Sequence, residues 1–337
     1  MLSVGKAAET VFDLSTSMEL PSLARERAER SFSFVTTEDR RAEGPPPKND
    51  VAEAEDVSFG VAVFQFFLIP ALVVIACVGL FLFFGWLVAE EKSSLDYLRD
   101  IKTGGATRRW QAAFELAKQL NNLERQSGED LGNLVPEMID MFRDAERDDP
   151  RVRRYMALAL GHVGDRQAVP VLLEALADDD AETRIYAIWA LGSLGDERAV
   201  APLLELANHD DPGVRKMVVY SLGALRAEGA RVTLQAALGD TQADVAWNAA
   251  IALAQLGDAS GRDRILQMLD REFLQSVTEM TEEQRVEAMM TAMKGAVLLG
   301  DPQLRARLQE ISGGDPNLKV RQAAFESLAQ MGNPSEK

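Results

Sequence analysis

The fold is decided by two similar blocks of sequence that follow one another directly. Residues 152–176 read VRRYMALALGHVGDRQAVPVLLEAL, and residues 183–207 read TRIYAIWALGSLGDERAVAPLLELA. The shift that superimposes the blocks carries Arg153 onto Arg184, and the same shift applied again carries it onto Arg215. A fixed period sustained over several units is the sequence signature of a repeat architecture. The blocks therefore predict a solenoid of stacked units.

Further units continue the repeat in both directions. Gln111–Glu115 and Gln322–Glu326 both read QAAFE, which extends the register toward both ends of the sequence. The predicted unit starts are residues 109, 152, 183, 214, 245, 288 and 320. The first and fifth spacings are longer than the others, which implies insertions at 120–134 and 271–281. The seventh unit has room for its first helix alone, and we expect that helix to cap the array with a polar outer side.

Each unit is predicted to contain two helices, so the fold class is all-α. Apolar residues recur at helical spacing in the first half of a unit, for example Val152, Met156 and Leu160. Gly164 follows them, at the position where a left-handed residue commonly ends a helix. The period-two alternation typical of strands does not occur in these units.

Asp-Pro pairs between successive units predict where helices begin. An Asp side chain accepts hydrogen bonds from the free N–H groups of the first turn, and Pro suits the first helical position because its missing N–H leaves no bond unmade. The predicted structural caps are Asp149, Pro150, Asp211, Pro212, Asp315 and Pro316. The acidic clusters near these turns could also suggest calcium or magnesium. Capping is the preferred interpretation, because hard cations need convergent ligands from one short loop.

The best copies follow V-R-x-x-A-x-x-A-L-G-x-x-G-D-x-x-A-V-x-x-L-L. This pattern resembles HEAT repeats, and especially the short HEAT-like repeats named after phycobilisome lyases. The resemblance is strong over residues 151–269, weaker from about residue 108 and toward the C-terminus, and absent before residue 90. It implies a right-handed α-solenoid whose second helices line a concave surface that binds another protein. It fixes no activity, because the family includes scaffolds, adaptors, chaperone-like lyases and enzymes.

The region before the repeats has a different composition. The run from Val61 to Val88 contains no charged side chain and is longer than the roughly 18 residues that predict a transmembrane helix. Close to this run, four Lys or Arg residues follow it and two precede it, which predicts cytoplasmic repeats. We therefore expect a single-pass membrane protein. Its predicted parts are a disordered acidic tail at 1–56, the transmembrane helix at 57–89, a juxtamembrane helix and joint at 90–107, and the solenoid at 108–337.

The composition argues against several classes of site. The 337 residues include one Cys and two His, too few for a His/Cys zinc site or a disulfide framework. The net charge is −17, and from residue 90 onward 29 Lys and Arg face 41 Asp and Glu, which opposes binding to phosphate backbones. No nucleophile elbow, P-loop, dinucleotide fingerprint or zincin motif occurs. We predict no catalytic, cofactor-binding or metal site, no nucleic-acid partner and no small-molecule substrate.

Two sets of charged residues remain as candidate contacts. Arg153, Arg184 and Arg215 form a ladder that could bind an acidic ligand, although pairing with aspartates of the neighbouring turns is the preferred interpretation. Glu174 and Glu205 occupy one equivalent position on consecutive second helices. We predict these two glutamates as partner-binding residues, with a merely solvated surface as the alternative.

The predicted function is a membrane-anchored, non-enzymatic scaffold or adaptor that mediates protein–protein interaction, for example as an accessory subunit of a membrane complex. Its partner would be another protein, itself membrane-associated. The alternative is a chaperone-like lyase or enzyme subunit that presents a client or a cofactor. The two functions are distinguishable, because a protein carrying a bound chromophore would absorb visible light.

Overall fold

A computed structural model of the chain describes residues 68–88, 92–123, 133–145, 149–277 and 280–332. These residues divide into two compact units, 68–88 and 92–332. The predicted acidic tail at 1–56 and the first part of the predicted transmembrane segment, 57–67, lie outside the described residues.

The first unit contributes one apolar helix, α1 (Ile69–Val88), with exposed side chains such as Leu72 and Phe81. Among the described residues, no helix is both long enough and apolar enough to cross a membrane. This finding contradicts the predicted single-pass membrane localisation. The predicted cytoplasmic placement of the repeats depended on that membrane span and is contradicted as well.

The second unit consists of helical hairpins, and the part of the chain that the structure describes contains no strand. In chain order the helices are α2 (Ser94–Thr103), α3 (Ala106–Leu123), α4 (Val135–Asp144), α5 (Pro150–Val163), α6 (Val169–Glu174), α7 (Ala181–Leu194), α8 (Val200–Glu205), α9 (Pro212–Ala224), α10 (Arg231–Ala237), α11 (Ala243–Gln255), α12 (Arg262–Met268), α13 (Arg271–Ser276), α14 (Glu282–Leu299), α15 (Pro302–Gly314) and α16 (Leu318–Gln330). The first helices of the units are α3, α5, α7, α9, α11, α14 and α16. The second helices are α4, α6, α8, α10, α12 and α15. The prediction of an all-α repeat solenoid is confirmed.

First helices stack on one another and form the continuous core of the second unit. Close approach depends on a glycine in one helix that faces a small residue in the next. These pairs are Gly161–Ala190, Gly192–Ser221 and Gly223–Ala252. A Cβ atom on any of the three glycines would lie 2.9 Å from the Cα atom of its partner, which is too close for packed atoms. From the second to the fifth unit, each repeat of the sequence is thus also a repeat of this contact.

Second helices in the central repeats are short, and each follows a 3₁₀ turn. Asp165, Asp196 and Asp258 stand ahead of three of these turns. Each carboxylate accepts a hydrogen bond from the backbone N–H two residues later, at 2.8–3.0 Å. Because this bond satisfies an N–H group that the turn leaves free, the aspartate fixes where the chain reverses direction.

Helix α2 packs against α3 and covers the N-terminal side of the stack. Leu98 and Ile101 are each 1% exposed, and Arg109 Nε donates to the Ile101 carbonyl oxygen at 2.7 Å. A capping box at Ser93 and Asp96 begins this helix. The segment predicted as a juxtamembrane helix and joint therefore belongs to the same compact unit as the repeats.

Candidate interaction surface on the second helices

The second helices present exposed side chains at equivalent positions in successive units. Pro170, Ala201 and Val232 occupy one position, and Val232 is 76% exposed. Glu174 and Glu205 lie four residues after the first two, on the same side of α6 and α8, and both are exposed. These five residues together are called the second-helix face. It combines uncharged contact area with two carboxylates.

No other described residue forms an ion pair with Glu174 or Glu205. The equivalent positions in the next two units hold Ala236 and Gln267, so the acidic pair is confined to two consecutive second helices. Within the described ranges, neither carboxylate is therefore neutralised by a cation of the chain. The structure places both predicted partner-binding residues on the surface, one unit apart.

The arginines of the ladder, in contrast, form hydrogen bonds and ion pairs within the repeats. Arg153 Nε donates to Asp178 Oδ2 at 2.5 Å, and its Nη1 donates to the Phe142 carbonyl oxygen at 2.8 Å. Arg215 binds both carboxylate oxygens of Asp240, at 2.8 and 2.9 Å. Each aspartate lies in the turn that ends the unit of its arginine, at the same position of the repeat. Arg153 and Arg215 therefore connect a first helix to its own unit's closing turn.

Arg184 lacks this partner because His209 stands where the other two units have Asp178 and Asp240. Its Nη1 donates to the Asp178 carbonyl oxygen at 2.6 Å, and its buried Nε has no hydrogen-bond partner among the described residues. His209 Nδ1 accepts from the Asp211 N–H at 3.0 Å. The histidine thus keeps the turn's backbone bond and loses the turn's negative charge.

Two of the predicted Asp-Pro caps begin first helices. Asp149 accepts from the N–H two residues later at 3.0 Å, with Pro150 as the first residue of α5. Asp211 does the same at 2.7 Å, with Pro212 as the first residue of α9. These four residues hold helix ends in place and contribute no reactive group.

The predicted cap at Asp315 and Pro316 is wrong. Asn317 caps α16 and accepts from the N–H groups of the second and third residues after it, at 2.9 and 3.4 Å. In the second to fifth units the N-cap position lies three residues before the unit start, and residue 317 has that relation to the seventh start at 320. Asp315 lies five residues before the start, so the local Asp-Pro pair misled the assignment.

Asp315 instead occupies the closing-turn position of Asp178 and Asp240. Its side chain is 4% exposed and accepts from Arg271 Nε at 3.0 Å and Arg271 Nη2 at 2.8 Å. The sixth unit carries Met289 at the position of the ladder arginines. The arginine that neutralises this turn therefore comes from α13, the helix of the late insertion.

Two pKa shifts mark the same structural network. The Arg154 guanidinium binds Asp180 at 2.5 and 2.6 Å and lowers the pKa of that carboxyl to about 2. Burial raises the pKa of the Tyr186 phenol to about 12. An ion pair at a helix cap and a phenol packed between helices account for both shifts, so neither indicates a reactive centre.

The histidines do not gather ligands around them. His162 lies edge-on to Trp189, with ring centroids 4.8 Å apart. Within the described ranges, no cluster of three or more His, Cys, Asp or Glu side chains could hold a metal ion. His162 takes part in the packing between α5 and α7, and His209 supports a turn.

The geometry agrees with the comparison to known families. Residues 135–221 and 201–284 match the family HEAT repeats. The repeats are HEAT-like. No curated protein matches the chain in sequence.

Solved structures share the repeat fold at low sequence identity. The complex of CpcE and CpcF of phycocyanin lyase from Nostoc sp. PCC7120 is 20% identical with a TM-score of 0.52, over 73% of this chain and 90% of that one. Human deoxyhypusine hydroxylase is 19% identical with a TM-score of 0.32, over 71% and 84%. A designed armadillo repeat protein in complex with the peptide (KR)4 is 15% identical with a TM-score of 0.39, over 72% and 100%. Such likeness describes the fold alone.

Proposed function

We propose that this protein is a non-catalytic scaffold or adaptor that binds another protein through the second-helix face. The observation that carries the proposal is the pair Glu174 and Glu205, exposed at equivalent positions and without an ion-pair partner among the described residues. The arginines and aspartates of the same units are largely paired with each other. The HEAT-like fold supports the proposal, because stacked repeats form extended binding surfaces.

The chemistry of the face specifies the kind of partner. Two carboxylates beside Pro170, Ala201 and Val232 suit a segment that carries basic side chains with apolar residues between them. Adjacent packed helices lie about 8–10 Å apart. In a segment with polyproline II geometry, side chains three residues apart lie on one side and about 9 Å from each other, so basic residues with this spacing would meet both glutamates.

The test is a charge reversal with a matched control. We expect the double variant E174K/E205K to lose the partner that the wild-type full chain retains in a quantitative pull-down. The control D179K/D210K changes the same charge at another pair of exposed equivalent positions, in the turns between units. It should retain the partner. Equal retention by both variants, or equal loss, would refute the assignment to the second-helix face.

A lyase or enzyme subunit remains the alternative, and one observation favours it: the fold shared with CpcE and CpcF of phycocyanin lyase. In this alternative the solenoid presents a client or a cofactor. Visible absorbance of the purified full chain, lost on denaturation, would favour the alternative. A colourless protein that binds its partner through Glu174 and Glu205 would favour the scaffold.

A further inference from the structure

The last helix exposes a position that every central repeat buries. Phe325 of α16 is 64% exposed. Its equivalents in the second to sixth units are at most 1% exposed, because the next first helix covers them. Those equivalents are Ala157, Ile188, Val219, Ala250 and Met293. The outer side of α16 is therefore a stacking surface, in contrast to the polar cap that the sequence predicts.

The exposed surface continues along the whole helix. Leu318 is 71% exposed, and Gln322 and Ala329 are exposed with it and Phe325. Their spacings of four, three and four residues place these side chains on one face of a helix. They are called the C-terminal stripe. None of the described helices lies on it.

The C-terminal stripe is complementary to itself when two copies run antiparallel. With the two-fold axis between Ala323 and Ala324, Leu318 faces Ala329 of the second copy, and Gln322 faces its Phe325. A two-fold axis repeats each contact, so one favourable pair occurs twice. Each large apolar side chain of the stripe, Leu318 or Phe325, thus lies opposite a smaller or unbranched side chain of the second copy.

The charges beside the stripe follow the same symmetry. Lys319 and Glu326 lie on one flank, both exposed, and they come close to each other across the axis. Glu326 accepts a hydrogen bond from Gln322 at 2.7 Å, and neither Lys319 nor Glu326 forms an ion pair with another described residue. Arg321 lies on the other flank, near Leu328 of the second copy. An antiparallel pair therefore gains two reciprocal Lys–Glu contacts.

At the other end of the stack, α2 already covers the corresponding side of α3, with Leu98 and Ile101 buried. We propose that α16 binds α16 of a second copy of this chain, antiparallel, and closes the two stacks tail to tail. One helix face is smaller than the roughly 800 Å² per partner of a standard interface. We therefore expect a concentration-dependent dimer.

The first experiment measures the mass of the full chain by sedimentation equilibrium over a wide concentration range. F325E should weaken the dimer at least about tenfold. L95E, at an exposed apolar residue of α2 at the other end of the stack, should leave it unchanged. Circular dichroism and the melting temperature check that both variants fold. A monomer at every concentration would overturn the proposal, as would an assembly that F325E leaves unaffected.

The second experiment tests the antiparallel register. K319E and E326K should each weaken the dimer, and the double variant K319E/E326K should restore it because the reversed charges still face each other. In a C77S background, a short bismaleimide should crosslink Q322C to its symmetry mate. It should not crosslink Q111C, the same residue of the N-terminal QAAFE motif. Failure of the double variant to recover, or equal crosslinking at both positions, would overturn the register.

Discussion

The third and fourth units are neighbours in the stack and differ in which of two turns follows the repeat pattern. In the third unit, Gly195 ends the first helix with φ 64°, but His209 replaces the acidic residue of the closing turn. In the fourth unit, Asp240 keeps the closing turn, but Arg226 takes the left-handed position with φ 49°. Each unit retains the turn that its neighbour has lost.

The repeat tolerates one altered turn in each of these two units. Equivalent arginines have unequal roles, because the residue in the closing turn decides whether Arg184 or Arg215 meets a carboxylate. The position in the repeat thus fixes where each arginine lies, and the residue in the closing turn decides whether the arginine stabilises the unit through an ion pair. This comparison predicts effects that can be ranked by size.

The largest expected effect comes from breaking the intact closing turn. R215M leaves the Asp240 carboxylate, 12% exposed, without its partner, which should cost about 3 kcal/mol of unfolding free energy. R184M removes one bond to a carbonyl oxygen together with an unpaired Nε, so its loss should stay within about 1 kcal/mol. Urea unfolding of the full chain measures both. Equal losses would show that the missing carboxylate at position 209 has no energetic consequence.

The cap of the third unit contributes stability that depends on pH. Arg154 lowers the pKa of Asp180 from its ordinary 3.8 to about 2, so its contribution is present above pH 4 and is lost as the pH falls toward 2. The contribution is about 2 kcal/mol. D180N should lose that amount at neutral pH and show a shallower acid dependence. R154M removes the guanidinium that lowers this pKa and should show the same shallower acid dependence; an unchanged acid dependence for R154M would contradict this assignment.

Restoring the acidic residue in the third unit should stabilise the protein. H209D supplies Arg184 with the carboxylate that Arg153 and Arg215 have, and we expect a gain of about 1 kcal/mol. H209N is the control, because its side-chain oxygen can accept the Asp211 N–H without adding charge. Its effect should be within a few tenths of a kcal/mol. If H209N stabilises as much as H209D, the turn and not the ion pair explains the gain.

The smallest effect concerns the left-handed residue of the fourth unit. R226G relieves the crowding of a side chain at φ 49°, partly offset by the flexibility of glycine in the unfolded chain, for a net gain of about 0.5 kcal/mol. R226A retains a Cβ atom and should gain nothing. Melting temperatures of the two variants, measured side by side, decide the point. A stabilised R226A would point to the charge of Arg226 instead.

The periodic sequence was sufficient for the all-α repeat class, because repetition reports contacts between equivalent residues. It failed at Asp315, where an Asp-Pro pair was interpreted locally although the period places the cap at Asn317. The pairing of Asp315 with Arg271 crosses both the late insertion and a whole unit, so no equivalent unit could reveal it. The repeat period would have predicted this N-cap better than the Asp-Pro motif did.

Exposure was the harder quantity to predict. Val232 and Phe325 stand at positions where apolar residues imply a core, yet one is 76% and the other 64% exposed. Burial in a stack depends on what lies on the next layer, and a single unit's sequence does not contain that information. The glutamates of the second-helix face could be named beforehand because their equivalence is visible without knowing any neighbour.

The glycine pairs between first helices give the same close contact at each junction from the second to the fifth unit. Gly161 meets Ala190 as Gly192 meets Ser221, so removing residues 183–213 would bring Gly161 onto Ser221 with a contact of the same kind. A gene that gained or lost one such segment would alter the length of the protein without creating a new type of joint. Gain or loss of whole repeats would therefore change the length of the stack while preserving the contacts between its layers.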